Sequence, residues 1–318
     1  MHLLIYVPAW TNYQAGIRQV EALLSQQKRL NQLGEIIRLE FIFSVNAIPE
    51  VAKSVVDRIT ALGAKYRFFN SNLGDVNINL GFLDAAESEA DLFWIVSPGD
   101  SVSDNALESI CEYFRESETY DFIVADEEDR GIRSVTLNIN NLDFYTLSEA
   151  SFGMITGVIY RLATFHSYLH LGVQASFTGW GQLAVLLGGA RKECGVVGRI
   201  LPSWYFYSRG DSKLLTDSEK MENLRHYAHS FFGYVILLTL LFPFPKVQVR
   251  RWVYKNWFRL GAYAKAYENE KYGYIRLTDL RHLAKITVAE TDIITRLVFF
   301  IASRIDFIGI RARFFSGG

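Results

Sequence analysis

The side chains in this sequence best placed to do chemistry are acids and amides that follow short apolar runs. Asp100 closes the turn Ser97-Pro98-Gly99-Asp100, directly after the bulky apolar stretch at 91–96. A carboxylate in such a turn has two ordinary uses. It caps the helix that follows, together with Ser103, or it touches a metal ion or a diphosphate. Upstream, Asn72, Gly74 and Asn79 lead into a stretch of small residues, and Asn46 ends another apolar run. Each asparagine is equally at home as a turn residue. The acidic run Asp126-Glu127-Glu128-Asp129 offers proton acceptors, as do His166 and His170. An exposed acidic run is more often a solvated loop, so Asp126 is one candidate base among several.

Other signatures are missing. There is no phosphate loop of the Walker type, no Gly-x-Ser-x-Gly elbow and no His-Glu-x-x-His. The two cysteines, Cys111 and Cys194, have no metal-type spacing, which argues against a zinc site and a disulfide framework. The string Arg209-Gly210-Asp211 carries no inference by itself.

The elements that must position these groups alternate. Strand-like runs fall at 3–7, 39–45, 66–69, 91–96 and 122–125. Helix-like stretches fall at 16–33, 49–62, 79–88 and 103–115, the second opening on Pro49 and closing at Gly63. A further helix is predicted over 181–187, within a middle section rich in glycine and aromatic loops. Such alternation predicts an α/β fold, a mostly parallel sheet flanked by helices. In that architecture ligands bind at the carboxyl ends of the strands, where the groups above fall.

The stretch 70–107 resembles the nucleotide-diphospho-sugar core of family 2 glycosyltransferases of the GT-A type. The order is the same: an asparagine–glycine loop, a helix, a bulky apolar strand, and an acidic turn before another helix. The wording at 91–97, Asp-Leu-Phe-Trp-Ile-Val-Ser, is similar to members that assemble bacterial surface polysaccharide. The resemblance extends over residues 1–190. It implies that Asp100 contacts a divalent cation, Mg²⁺ or Mn²⁺, bridging a donor diphosphate. It implies that Pro8, Ala9, Trp10, Asn46, Asn72, Gly74, Asn79 and Gly99 line the nucleotide sugar, and that Trp180 stacks on a sugar. The chain departs from the family pattern in its first loop, which has one extra residue before Asn12, at Asn46, where many relatives carry an acid near the base or ribose, and at three further positions. Pro98 stands where the earlier acid of the metal motif belongs, and Gly181 and Gln182 replace the Glu-Asp pair that supplies the base. Asp126 is the substitute base considered first. The implied reaction moves a sugar to a hydroxyl of a polyprenyl-linked glycan, with inversion. The degenerate alternative is a binding or scaffold component that catalyses nothing.

Charge divides the chain in two. Residues 1–225 hold 19 Lys and Arg against 28 Asp and Glu, whereas residues 226–318 hold 14 against 6. The basic tail interleaves cations with aliphatic runs, such as the 12 apolar residues at 231–242. That run is shorter than the roughly 20 residues needed to span a bilayer. The pattern predicts an amphipathic tail meeting an anionic membrane surface, or packing internally or in a homo-oligomer. Nucleic acid is not expected, because a phosphate groove has no need of long aliphatic runs. The expected division is a catalytic domain at 1–215 and a helical tail at 216–318, and the expected setting is the cytoplasmic face of a membrane. The apolar run at 3–7 lacks the features of a signal peptide and reads as a first strand.

Overall fold

The computed structural model describes residues 1–9, 13–46, 49–71, 73–116, 119–126, 130–140, 152, 155–209 and Leu237. The chain divides into two compact units, one of residues 1–177 with 181–211 and the other of residues 178–180 with 212–318. The first unit holds the sheet. The tail expected at 216–318 lies outside the described residues, apart from Leu237.

The first half follows the alternation closely. Strands β1 (His2–Ala9), β2 (Arg38–Asn46), β3 (Lys65–Phe69) and β4 (Leu92–Ile95) are separated by helices α1 (Tyr13–Gln32), α2 (Pro49–Ala61) and α3 (Asp75–Ala86). After β4 come a short strand β5 (Asp100–Val102), helix α4 (Ala106–Glu116) and strand β6 (Phe122–Asp126). The remainder is β7 (Arg133–Leu137), β8 (Val158–Arg161), α5 (Leu162–Phe165), α6 (Leu169–Gln174), α7 (Gly181–Gly189), β9 (Val196–Pro202) and β10 (Tyr207–Arg209). The main sheet has eight strands in the order β3-β2-β1-β4-β8-β6-β9-β7, and β5 pairs with β10 in a small separate ribbon.

Within the main sheet, β3, β2, β1 and β4 are parallel, as are β6 and β9. Strand β8 runs antiparallel to both β4 and β6, and β7 antiparallel to β9. The expected mostly parallel sheet is therefore present but mixed. The inserted strand β8 spans only four residues and is buried apart from its last residue, so neither length nor alternation marked it in the sequence.

Two helix starts differ from expectation for physical reasons. Helix α3 begins at Asp75 rather than 79, immediately after Gly74 with φ 54°. Its first turn contains Asn77, a poor helix former whose side chain is engaged by Ser44 of β2. Helix α4 begins at Ala106, not 103. The residues read as its start form a turn instead, directly after β5, which pairs with Tyr207–Arg209 and keeps the chain extended up to Val102. The Ser103 hydroxyl donates to the Trp204 carbonyl (2.7 Å), so it does not cap the helix. Gln26 of α1 does that work: its Oε1 accepts from the Leu107 N–H (3.0 Å) while its Nε2 donates to the Ser103 carbonyl (2.8 Å). One of the N–H groups left open by a helix start is thereby satisfied from a neighbouring helix.

Alternation of side chains along the strands gives the sheet two unlike faces. One carries Leu3, Ile5, Val7, Phe41, Phe43, Trp94, Ile123 and Ile159, packed against α1, α2 and α4 in a continuous apolar core. The other lies under α3, α5 and α6. Its right half is aromatic, with Phe82, Phe93, Tyr160 and Phe165 in mutual edge or stacked contact. Its left half is polar, with Tyr6, Ser44 and Asn77 hydrogen-bonded together.

Candidate functional site

Every parallel strand ends at one edge of the sheet, and there the chain places its acids and amides. The central feature is the turn after β4. The Asp100 N–H donates to the Ser97 carbonyl (3.1 Å), closing a tight turn with Pro98 buried and Gly99 exposed. Two supports hold it. From α1, Gln19 Nε2 donates to the carbonyls of Ser97 (2.9 Å) and Asp100. From the segment preceding β8, the Thr156 hydroxyl donates to Asp100 Oδ2 and accepts from the Ser97 N–H (3.0 Å). Asp100 also begins β5, where it lies opposite Arg209 in the ribbon. The residue is partly exposed, and Thr156 holds its carboxylate from the segment before β8.

The other predicted residues fall around this turn to differing degrees. Pro8 and Ala9 end β1 and pair with Ser44 and Val45 at the end of β2. Asn46 ends β2, is 2% exposed, and its Oδ1 has no hydrogen-bond partner among the described residues. A buried acceptor of that kind calls for a donor from water or a ligand. Gly74 sits at the mouth of α3. Trp10 and Asn72 lie outside the described residues.

Asn79 points elsewhere. It is buried on α3 beside the start of α7, where a Cβ at Gly181 would collide with Asn79 Oδ1 and with the Gly172 carbonyl oxygen. An acidic side chain at position 181 would have to displace Asn79 and the main chain at Gly172. Gln182 follows, buried, with its carbonyl accepting from the Tyr160 hydroxyl (3.0 Å). Trp180 belongs to the second unit, and its N–H donates to the Thr178 hydroxyl (3.1 Å).

Asp126 ends β6 at the same edge as Asp100 and is 1% exposed. Arg130 meets both of its oxygens (3.2 and 3.1 Å), and Arg133 reaches Oδ2 (3.1 Å). A carboxylate so engaged orients two guanidinium groups, and their charge opposes its taking a proton. Glu127 and Asp129 lie outside the described residues. His166 bonds the carbonyl of Ala86 (3.0 Å), the last residue of α3, which places it at the opposite edge of the sheet from Asp100.

Sequence reasoning missed Gln19 and Thr156. Gln19 lies on the buried face of α1, and a glutamine at an apolar position is the one signal that would have singled it out. Thr156 carried no signal, since its partners lie 56 and 59 residues away along the chain.

Among the described residues, no three His, Cys, Asp or Glu side chains gather to hold a metal ion. Asp100 alone offers a carboxylate at the turn. A single carboxylate fits Mg²⁺ or Mn²⁺ only where substrate phosphates and water complete the coordination, the usual arrangement for Mg²⁺. The residues present therefore fit a cation that arrives with a diphosphate.

No protein-family profile and no curated protein sequence matches the chain. Solved structures do. Staphylococcus aureus TarS matches at a TM-score of 0.58 and 13% identity, over 96% of this chain and 54% of that one. Residues 1–349 of TarS in complex with UDP match at 0.48 and 14%, over 100% and 92%. The mannosyltransferase PcManGT from Pyrobaculum calidifontis, in complex with GDP-Man and Mn²⁺, matches at 0.46 and 10%, over 99% and 88%. The chain thus spans about half the length of the TarS chain in the first of these. At such identity the likeness speaks for architecture: the chain has the GT-A-like fold of the glycosyltransferase TarS.

Proposed function

We propose that this protein transfers a sugar from a nucleotide-diphosphate donor to an acceptor hydroxyl. The observation that carries the reading is the Asp100 turn: a partly exposed carboxylate, braced by Gln19 and Thr156, at the strand-end edge of a GT-A-like sheet. Leaving-group departure puts charge on the diphosphate, and a divalent cation bound there neutralises it. Asp100 holds that cation. The turn around Gly99 leaves room for phosphate, because no side chain projects from that position. Pro8 and Ala9 wall the nucleotide, with Gly74 at the mouth of α3, and Asn46 Oδ1 accepts a hydrogen bond from the base or ribose. Asn79 keeps the start of α7 against α3 behind the donor.

Asp126 stands as the proton acceptor once an acceptor hydroxyl displaces one of its two arginines. The acceptor is a lipid-linked glycan of the kind used in surface polysaccharide. The basic tail at 216–318 restricts the search to an anionic membrane at its cytoplasmic face, and Trp180 stacks on a sugar. Support for this part comes from tail composition and from the family resemblance. Among the described residues no helix is long and apolar enough to cross a membrane.

The test is donor turnover. Stabilisation by UDP, GDP, CDP or dTDP sugars is screened with and without Mn²⁺, and nucleoside diphosphate release is then followed with the best donor. Asp100→Ala should lower release by about 100-fold or more, the scale of losing a group that stabilises leaving-group charge. Undiminished release would remove the basis of the proposal. A second reading, a glycosyltransferase-like protein that binds without catalysis, is favoured by one observation: position 181 is sterically closed to the family's acid. Donor binding with no release under any condition would select it.

A further inference from the structure

We infer that Thr156 is a positioning residue for the Asp100 carboxylate, setting the rotamer in which that group meets the donor's metal–diphosphate unit. The inference rests on the proposed role of Asp100 and adds a residue to it.

Thr156 is 2% exposed and sits at the junction of three hydrogen bonds. Its carbonyl accepts from the Trp94 indole N–H (2.8 Å), which ties it to a side chain of β4 buried in the apolar core. Its Oγ1 accepts from the Ser97 N–H (3.0 Å) and donates to Asp100 Oδ2. The direction of these bonds is forced. A hydroxyl has one proton, and an amide N–H cannot accept, so the proton must point to the carboxylate. One buried atom thus reads the backbone at the start of the turn and the side chain at its end. Trp94 fixes where that atom stands.

Gln19 braces the same turn through backbone carbonyls only. Thr156 reaches the carboxylate itself, and this separates a residue that orients the ligand from one that merely holds the loop. Metal-binding carboxylates depend on such outer hydrogen bonds, and losing one weakens metal affinity by about 10- to 100-fold. The effect should be sharpest here, because Pro98 leaves the turn without a second acid to share the load.

The experiment compares wild type, Thr156→Val, Thr156→Ser and Asp100→Ala by calorimetric titration. The probe is whichever of UDP, GDP, CDP or dTDP stabilises wild type most in Mn²⁺, measured in Mn²⁺ and in EDTA. Thr156→Val keeps the shape and removes the hydroxyl. It should weaken Mn²⁺-dependent binding by about 10- to 100-fold while leaving binding in EDTA within about threefold, and Thr156→Ser should restore wild-type behaviour. Should Thr156→Val fail to fold, Thr156→Ala carries the same prediction without the added methyl. Equal loss in Mn²⁺ and EDTA, or no rescue by serine, overturns the inference, since a purely structural threonine behaves that way. Unchanged metal dependence in Thr156→Val with metal dependence abolished in Asp100→Ala overturns it while leaving the site intact. Unchanged metal dependence in Asp100→Ala, or no binding by any probe, overturns the reading of the site together with it.

Discussion

The two faces of the main sheet have been built to different rules. The face under α1, α2 and α4 is apolar throughout and buries strand residues such as Phe41, Phe43 and Trp94 against aliphatic helix positions. The face under α3 is interrupted by Tyr6, Ser44, Asn77 and Asp84, all buried and most of them bonded to one another. Burial pushes the Tyr6 hydroxyl's titration upward. It also raises Asp84 from 3.8 to about 6, against the opposing pull of Arg67. Apolar packing supplies folding free energy, while buried polar groups at best break even unless every one is satisfied. Asp84 Oδ2 has no hydrogen-bond partner among the described residues, so this face gives up stability. The first face makes the sheet, and the second ties α3 to it through Tyr6 and Ser44.

The comparison breaks first at Phe43, fully buried on the apolar face. Phe43→Ala should cost about 3–5 kcal/mol, read as a lower urea midpoint at unchanged slope. A loss below about 1 kcal/mol would mean that this face is not the stabilising one.

Asp84 sharpens the contrast by moving the other way. Its folded-state pKa lies above the unfolded value, so its ionisation opposes folding. Its contribution is most favourable below about pH 4, is lost as pH rises towards 6, and stays lost above. Asp84→Asn should therefore raise stability by about 1–3 kcal/mol at pH 8 and have little effect near pH 4. Urea unfolding at the two pH values checks the sign. A destabilised variant at pH 8 would show that the ion pair with Arg67 outweighs the burial of its charge.

The smallest effect belongs to the capping role of Gln26. Gln26→Ala should cost about 1 kcal/mol by leaving the Leu107 N–H unpaired at the start of α4. Faster amide exchange confined to the first turn of α4 would identify the cause.

The first half of the fold was legible because α/β alternation leaves a strong imprint on apolar periodicity. Leu3, Ile5 and Val7 mark β1, Phe41 and Phe43 mark β2, and Trp94 marks β4, each in a short apolar run bounded by polar turns. The Asp100 turn was legible for the same reason, as an acid at the end of such a run. What stayed hidden depends on partners distant in the chain. Ser103 looks like a helix cap until Trp204 takes its hydroxyl. The residues of β5 look like part of a turn until β10 pairs with them. Thr156 is an unremarked threonine until the antiparallel β8 brings it beside Ser97 and Asp100. Periodicity reports which side of an element is buried and says nothing about who sits opposite.

The crowding around Gly181 has a bearing on how this chain can change. Placing an acid at that position takes more than one step, because any side chain there meets Asn79 and the main chain of α6. A shorter residue at 79 and a small retreat of α6 have to come first. In sequence space an acid at 181 is therefore gated, and random single-site mutagenesis there should return poorly folded clones.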